Sequence, residues 1–126
     1  MYATDTHSLL WFLTNDSRLG PRAKEIFRRC DRGEVIIIIP SIVLLESLYL
    51  CEKRKIEVSF LSVIKMIEQG PNYRIYPLNK DVVVRCMIKL KDPHDRIIVA
   101  TAQLLNIPLI TKDEHIKNSG VVPTIW

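Results

Sequence analysis

Four acidic residues from separate parts of the 126-residue chain could together bind a divalent cation. They are Asp5, Glu46, Asp95 and Asp113. Carboxylates gathered in one place repel one another unless protons or a metal ion neutralise them. A ligand set made only of oxygen atoms suits Mg²⁺ or Mn²⁺, with water at the remaining positions. These side chains can form a metal site only if the fold brings them together.

Glu46 is the most informative of the four because it interrupts an apolar helical segment. The positions three and four residues away on its helix face are Ile42, Val43, Tyr49 and Leu50. A buried glutamate without a partner loses much of its solvation free energy. We therefore expect Glu46 to meet a cation, to join a hydrogen-bonded cluster or to reach the surface. An ordinary exposed or salt-bridged glutamate explains the pattern about as well.

The segment KDPHDRIIVATAQLL contains two aspartates at the start of a predicted helix. Asp92 as N-cap, Pro93 in the first position and Asp95 in the third make a favourable helix start, so capping alone explains both acids. The same geometry places both carboxylates at the front of the helix. The small residues from Ala100 to Ala102 permit close packing of neighbouring elements. Capping and a role in a site are therefore compatible.

Asp5 and Asp113 each follow a short apolar strand pattern. Taken singly, each is most simply a turn or capping residue. Parallel sheets, however, bind ligands beyond the carboxyl ends of their strands. We therefore expect the two carboxylates on the same edge of the sheet, although they are far apart in sequence.

Three histidines, His7, His94 and His115, lie within two residues of these acids. A mixed histidine and carboxylate site is conceivable, but the spacing matches no zinc pattern, and surface or capping roles are favoured. The chain also lacks a GxSxG motif, a glycine-rich phosphate loop and a recognisable Cys/His pair.

Alternating strand and helix patterns predict a three-layer α/β/α sandwich with a mainly parallel central sheet, as one domain of residues 1–126. The predicted strands are residues 1–4, 34–40, 73–76, 109–111 and 122–126. The predicted helices are residues 6–13, 22–30, 41–55, 59–69 and 80–90, one from residue 93, and a short turn at 112–116. Ser41 is expected to cap the helix that contains Glu46.

The composition is that of a globular protein, with 48% hydrophobic and 25% charged residues. No apolar run approaches the ~20 residues that a membrane-spanning helix needs, and the first residues do not resemble a secretory signal, so we expect a cytoplasmic protein. Three widely spaced cysteines indicate neither a disulfide framework nor a zinc site. A net charge of +4 favours polyanions as partners but does not establish one.

The sequence resembles the PIN-domain ribonucleases, specifically the VapC-like toxins of toxin–antitoxin pairs. The resemblance rests on YATDTHSLLWFL at the start, SIVLLESLYLCEKRKI in the middle, DPHDRIIVATAQ, and LITKDEHI followed by VPTIW. Each segment alone is a weak signal, whereas their order and spacing are specific. The resemblance covers nearly the whole chain.

The resemblance implies that Asp5, Glu46, Asp95 and Asp113 are the catalytic, metal-binding acids of a PIN-like fold. Thr6 and Thr111 are then candidates to hold Asp5 and Asp113 in place. The remaining candidate positions are Asp92, which caps a helix or also serves the site, and two phosphate contacts, Arg96 and Lys112.

The implied activity is hydrolysis of RNA phosphodiester bonds with Mg²⁺ or Mn²⁺, by a toxin that a small cognate antitoxin covers and that forms a homodimer. One alternative is an inactive PIN-like module that binds protein or nucleic acid. Another is phosphoryl transfer through an aspartyl phosphate. The sequence disfavours this last alternative, because Asp5 is followed by Thr6 and His7, not by a DxD arrangement.

Overall fold

A five-stranded parallel sheet forms the centre of the molecule in the computed structural model, which describes residues 1–126. The strands are β1 (Tyr2–Thr4), β2 (Ile37–Pro40), β3 (Tyr73–Tyr76), β4 (Leu109–Ile110) and β5 (Thr124–Ile125). Their spatial order is β3-β2-β1-β4-β5, and every neighbouring pair is parallel. The predicted α/β/α class with a mainly parallel sheet is confirmed.

Seven helices connect and cover the strands. They are α1 (Thr6–Leu13), α2 (Pro21–Asp31), α3 (Ser41–Glu52), α4 (Phe60–Gln69), α5 (Lys80–Arg85), α6 (Pro93–Leu104) and α7 (Glu114–Ser119). None of them is long and apolar enough to cross a membrane.

The hydrophobic core lies on both faces of the sheet. All four residues of β2 are buried, and because successive side chains of a strand point to opposite faces, both faces must be covered. Ile37 and Ile39 are fully buried on one face, and Ile38 is almost fully buried on the other. The apolar run around β2 is therefore explained by helices packed on each side of the sheet.

The strand register brings distant parts of the chain together at one edge. β1 is central, and it pairs with β4 so that Thr4 stands opposite Ile110. The next residue, Asp5, donates its backbone N–H to the carbonyl of Ile110 at 3.2 Å. The residue after Ile110 is Thr111, so Asp5 and Thr111 are neighbours although 106 positions separate them in sequence.

The predicted helix over residues 80–90 is too long, because α5 ends at Arg85. Beyond it, burial alternates: Met87 is 85% exposed, Ile88 is half-buried, Lys89 is exposed and Leu90 is buried. A helix cannot bury every second residue, whereas an extended chain can. The packing of two apolar side chains thus ends the helix where local pattern favours its continuation.

Other local predictions also need correction. The strands predicted at 34–40 and 122–126 are shorter, at Ile37–Pro40 and Thr124–Ile125. α3 ends at Glu52 and not at residue 55, and Arg54 follows with a φ of 54°. α7 is longer than the predicted turn. Ser41 is inside α3 and does not cap it; its hydroxyl instead accepts a hydrogen bond from the backbone N–H of Leu78 at 3.0 Å.

Candidate functional site

Asp5 lies where β1 ends and α1 begins, and the structure holds both of its carboxylate oxygens. Oδ1 accepts from the backbone N–H of Ser8 at 3.0 Å, which caps α1. Oδ2 accepts from the hydroxyl of Thr111 at 2.6 Å. Burial raises the pKa of Asp5 even though these hydrogen bonds favour the ionised form. The carboxylate is therefore rigidly oriented but costly to ionise without a neighbouring cation.

Glu46 projects from α3 into a hydrogen-bonded cluster, which is one of the three expected outcomes. Its Oε1 accepts from the hydroxyl of Thr6 at 2.5 Å, and its Oε2 lies 3.1 Å from His94 Nδ1. The Glu46 side chain is 25% exposed. Tyr49 on the same helix face is 47% exposed, so this face is not wholly buried. Glu46 thus lies at the margin of the buried face of α3, with both oxygens in contact with donors.

Asp95 is in the first turn of α6, within the electrostatic field of several other carboxylates. Asp92 caps this helix, and its Oδ1 accepts from the backbone N–H groups of His94 at 2.8 Å and Asp95 at 3.1 Å. Burial raises the pKa of Asp95 to about 6, and the charges of four nearby acids add to the rise. Those acids are Asp92, Asp113, Glu46 and Asp5. Asp95 is therefore close enough to the other three acids selected from the sequence, and to Asp92, for their charges to affect it.

Asp113 follows β4 and caps α7. Its Oδ1 accepts from the backbone N–H of Ile116 at 3.0 Å, and its own N–H donates to the hydroxyl of Thr111 at 3.1 Å. Its second oxygen has no hydrogen-bond partner within the chain. Asp5 and Asp113 thus lie at the carboxyl ends of adjacent strands, on the sheet edge where ligands bind in such folds.

Thr6 and Thr111, the two candidates to hold Asp5 and Asp113, both contact site acids. Thr111 contacts both of those aspartates, because its hydroxyl donates to Asp5 and accepts from the backbone N–H of Asp113. Thr6 instead donates to Glu46. Both threonines are almost completely buried, at 4% and 3% exposure. Each hydroxyl links two elements that are distant in sequence.

The two basic residues proposed as phosphate contacts have different surroundings. Nε of Arg96 donates to the backbone carbonyl of Leu90, which ties its guanidinium to the segment between α5 and α6. Burial raises the pKa of the Cys86 thiol and the charge of Arg96 opposes that rise, which also places Arg96 near α5. Lys112 is exposed, and its Nζ lies 5.8 Å from the centre of the Trp11 ring.

The histidines lie closer to the site than their spacing suggested. His94 contacts Glu46, and His7 lies with its ring centre 5.5 Å from that of Trp11. His115 lines a cleft that also contains Asp92 and Asp95. Sequence reasoning did not select Ser8 or Trp11. The sequence did contain a signal for them. Because Asp5 caps α1, the residues in the first two turns of that helix, including positions 7, 8 and 11, are expected near the Asp5 carboxylate.

The donor set fits a hard divalent cation, although it does not enclose one. No group of three or more histidine, cysteine, aspartate or glutamate side chains in the chain is arranged closely enough to surround a metal ion. Mg²⁺ usually retains several waters and is held by one or two carboxylates, so a closed cage is not required. The oxygen-only acids and the raised pKa of Asp95 are the features that match such an ion.

The chain was compared with known families and structures. The PIN domain family model matches residues 2–121. No curated protein sequence is similar enough to count as a relative.

Several solved structures share the fold. VapBC2 from Rickettsia felis, bound to a DNA fragment from its promoter, aligns over 98% of this chain and 96% of its own, with a TM-score of 0.75 and 16% identity. A toxin–antitoxin complex from Klebsiella pneumoniae aligns over 100% and 97%, with a TM-score of 0.71 and 22% identity. VapC20 from Mycobacterium tuberculosis, described as a toxin that cleaves the sarcin–ricin loop, aligns over 95% of both chains, with a TM-score of 0.70 and 15% identity. These likenesses concern the fold, whereas the family model covers nearly the whole sequence, and the chain belongs to the PIN domain family.

Proposed function

We propose that the protein is a metal-dependent endoribonuclease and the toxin of a toxin–antitoxin pair. The observation that carries the proposal is geometric: Asp5 and Asp113 follow adjacent parallel strands, and the hydroxyl of Thr111 contacts them both. In addition, burial and the charges of nearby acids raise the pKa of Asp95 to about 6. A protein retains such a repulsive cluster where a cation or a reacting group offsets it. Membership of the PIN domain family supports nuclease chemistry at this cluster.

In this proposal the four acids would hold Mg²⁺ or Mn²⁺, and the ion would supply an activated water and stabilise charge on the phosphate. The hydroxyl of Thr6 orients Glu46, and that of Thr111 orients Asp5. Fixed carboxylates need little reorganisation to bind an ion, which is why residues around metal ligands matter for affinity. Asp92 fixes the start of α6 and thereby the position of Asp95.

His94 has a defined part in the metal-free protein. Its Nδ1 contacts Oε2 of Glu46 at 3.1 Å, so it occupies one ligand atom of the proposed site. Because the His94 side chain is 48% exposed, it can move away into solvent when Glu46 binds an ion. In the metal-free protein His94 is thus a positioning residue for Glu46.

The proposed toxin role implies partner molecules for this protein. Two of the structures with the same fold are described as toxin–antitoxin assemblies, which supports a small antitoxin partner for this protein. A single domain of residues 1–126, homodimerisation and action on RNA in the cytoplasm belong to the same proposal. Lys112, beside the acids, is the basic residue best placed for a phosphate.

Incubation of the purified protein with RNA, including tRNA and ribosomal RNA, tests the activity. We expect cleavage with Mg²⁺ or Mn²⁺ and no cleavage with EDTA. The Asp5→Asn variant should lose at least about 100-fold, because replacing a metal ligand costs at least as much as the ~10–100-fold loss for its hydrogen-bonded supports. Asp81→Asn, at an exposed acid in α5 outside the cluster, is the matched control. Equal cleavage by wild type and Asp5→Asn would refute the proposal, while metal-dependent RNA binding without cleavage would favour an inactive binding module.

A further inference from the structure

A cleft of about 270 Å³ lies beside two of the site acids. We name it the Trp11 cleft; its lining residues are Asp5, His7, Ser8, Trp11, Lys112 and Asp113. Binding pockets for whole small molecules are usually larger, about 300–1,000 Å³, so this space suits one unit of a larger ligand. The proposed metal site forms one wall of the cleft.

The indole of Trp11 forms a largely buried part of the lining of this cleft. Trp11 is only 8% exposed, and its Nε1 has no hydrogen-bond partner in the chain. A buried indole N–H normally finds a partner. The ring of Trp126 packs edge-on against Trp11 at 5.9 Å, and Trp126 in turn lies so close to Gly20 that a Cβ there would be 2.6 Å away. The packing of Trp126 between Gly20 and Trp11 therefore restricts the movement of the Trp11 ring.

Two cations approach the Trp11 ring, but only Lys112 is free to bind another anion. The Arg18 guanidinium lies 4.7 Å from the ring centre and already binds Asp16 through two hydrogen bonds of 3.0 and 2.8 Å. The ammonium of Lys112 has no carboxylate within ion-pair distance. An exposed, unpaired ammonium beside an aromatic ring suits a ligand that has both a phosphate and a planar base.

Site acids line the Trp11 cleft and also a second cleft. The second cleft, of about 460 Å³, is lined partly by Asp92 and Asp95 and carries two exposed lysines, Lys89 and Lys91, together with His115. Each cleft thus combines acids of the proposed site with exposed basic side chains. This arrangement fits a linear polyanion better than a compact ligand.

We propose that the Trp11 cleft binds one nucleotide of the RNA strand next to the phosphodiester that is cut. The base lies against the exposed ring of His7, and Lys112 contacts an adjoining phosphate. This inference rests on the proposed ribonuclease function and names how that site holds its substrate. It makes His7 and Lys112 binding residues that act outside the metal chemistry.

The test uses His7→Ala and Lys112→Ala, since both positions are exposed and their truncation leaves the core intact. Lys65→Ala, at an exposed lysine of α4, is the control with the same change in charge. Binding of a short single-stranded RNA in EDTA is followed by tryptophan fluorescence, because the two tryptophans of the chain are in contact at this cleft. Cleavage with Mg²⁺ supplies KM and kcat for the same proteins.

We expect RNA to quench the fluorescence of the wild type and to bind Lys112→Ala about tenfold more weakly. The plot of log affinity against log salt concentration should also be shallower by about one unit of slope for Lys112→Ala. His7→Ala should lose about tenfold in affinity for intact RNA but not for RNA that is abasic at the bound nucleotide. KM should rise in both variants with little change in kcat. Lys65→Ala should match the wild type.

Two results overturn different claims. If RNA is bound and cleaved but His7→Ala and Lys112→Ala behave like Lys65→Ala, the nucleotide site is wrong while the ribonuclease proposal stands. If no protein binds or cleaves RNA, the proposed function fails and this inference fails with it.

Discussion

Replacing Asp95 with asparagine is expected to stabilise the metal-free protein at neutral pH. The carboxyl of Asp95 is partly buried near Asp92, Asp113, Glu46 and Asp5, and its pKa is raised from 3.8 to about 6. At neutral pH the folded protein must hold this group ionised against that repulsion. Asparagine keeps the shape of the side chain and removes the charge.

The magnitude follows from the pKa shift. A rise of about two units corresponds to about 3 kcal/mol of unfavourable free energy for the ionised form. Because the side chain is partly exposed, screening by water reduces this to about 1–2 kcal/mol. Losing an acid in the first turn of α6 costs about 0.3–1 kcal/mol. The net gain is about 1 kcal/mol, a rise of about 3–5 °C in Tm for a chain of this size.

The sign of the pH dependence is also defined. Between pH 3.8 and about 6 the folded state binds more protons at Asp95 than the unfolded state, so the free energy of unfolding decreases as pH rises through this window. Below pH 3.8 the carboxyl is protonated in both states and the penalty is absent. The difference between Asp95→Asn and the wild type should therefore appear only as pH rises above about 4 and be complete above about 6.

Thermal unfolding in EDTA, followed by circular dichroism near pH 4 and near neutral pH, measures both effects. Asp81→Asn is the control, because Asp81 is an exposed acid in the first turn of α5 without the cluster around it. Mg²⁺ should raise the Tm of the wild type more than that of Asp95→Asn, since the ion offsets the same repulsion. A Tm for Asp95→Asn at or below that of the wild type at every pH would refute the argument.

Three further predictions concern the supports of the site. Thr111→Val removes the 2.6 Å hydrogen bond to Asp5 and should weaken metal activation of cleavage about 10–100-fold in a Mg²⁺ titration. Thr111→Ser, which keeps the hydroxyl, should restore most of this activation. Equal titrations of Thr111→Val and the wild type would show that the hydroxyl is dispensable. Asp92→Ala should lower the free energy of unfolding by about 1 kcal/mol through loss of the helix cap, while Asp92→Asn retains the cap. A stable but inactive Asp92→Asn protein would instead give Asp92 a part in the chemistry. Gly20→Ala should lower the free energy of unfolding by about 1–3 kcal/mol, because the added Cβ meets Trp126 at 2.6 Å. An unchanged midpoint of chemical denaturation would contradict this packing.

Much of the local structure could be predicted from neighbouring residues, because capping and strand patterns are local. Asp5, Asn79, Asp92 and Asp113 all cap the helices that follow them. The length of α5 was overestimated because its end is set by contacts that are not local. The side chains of Ile88 and Leu90 turn inward at alternating positions, and that burial depends on elements far away in the sequence.

The placement of the acids could be predicted only as far as a rule of topology reaches. Parallel strands put Asp5 and Asp113 at one sheet edge, and the register of β1 against β4 accounts for this. The rule does not say which hydroxyl meets which carboxylate. Thr111 does contact Asp5 and Asp113, but the sequence did not predict that Thr6 bonds Glu46, 40 positions away.

The sequence by itself determined the order of strands and helices, the helix caps and the identity of four acids that could share a metal ion. Only the tertiary structure decided how those acids influence one another, since the raised pKa of Asp95 depends on burial and on the charges of Asp92, Asp113, Glu46 and Asp5. It likewise decided that Trp11, which reads as an ordinary core residue of α1, lines a cleft beside Asp5. Distances through space set electrostatics and clefts, and sequence separation does not encode them.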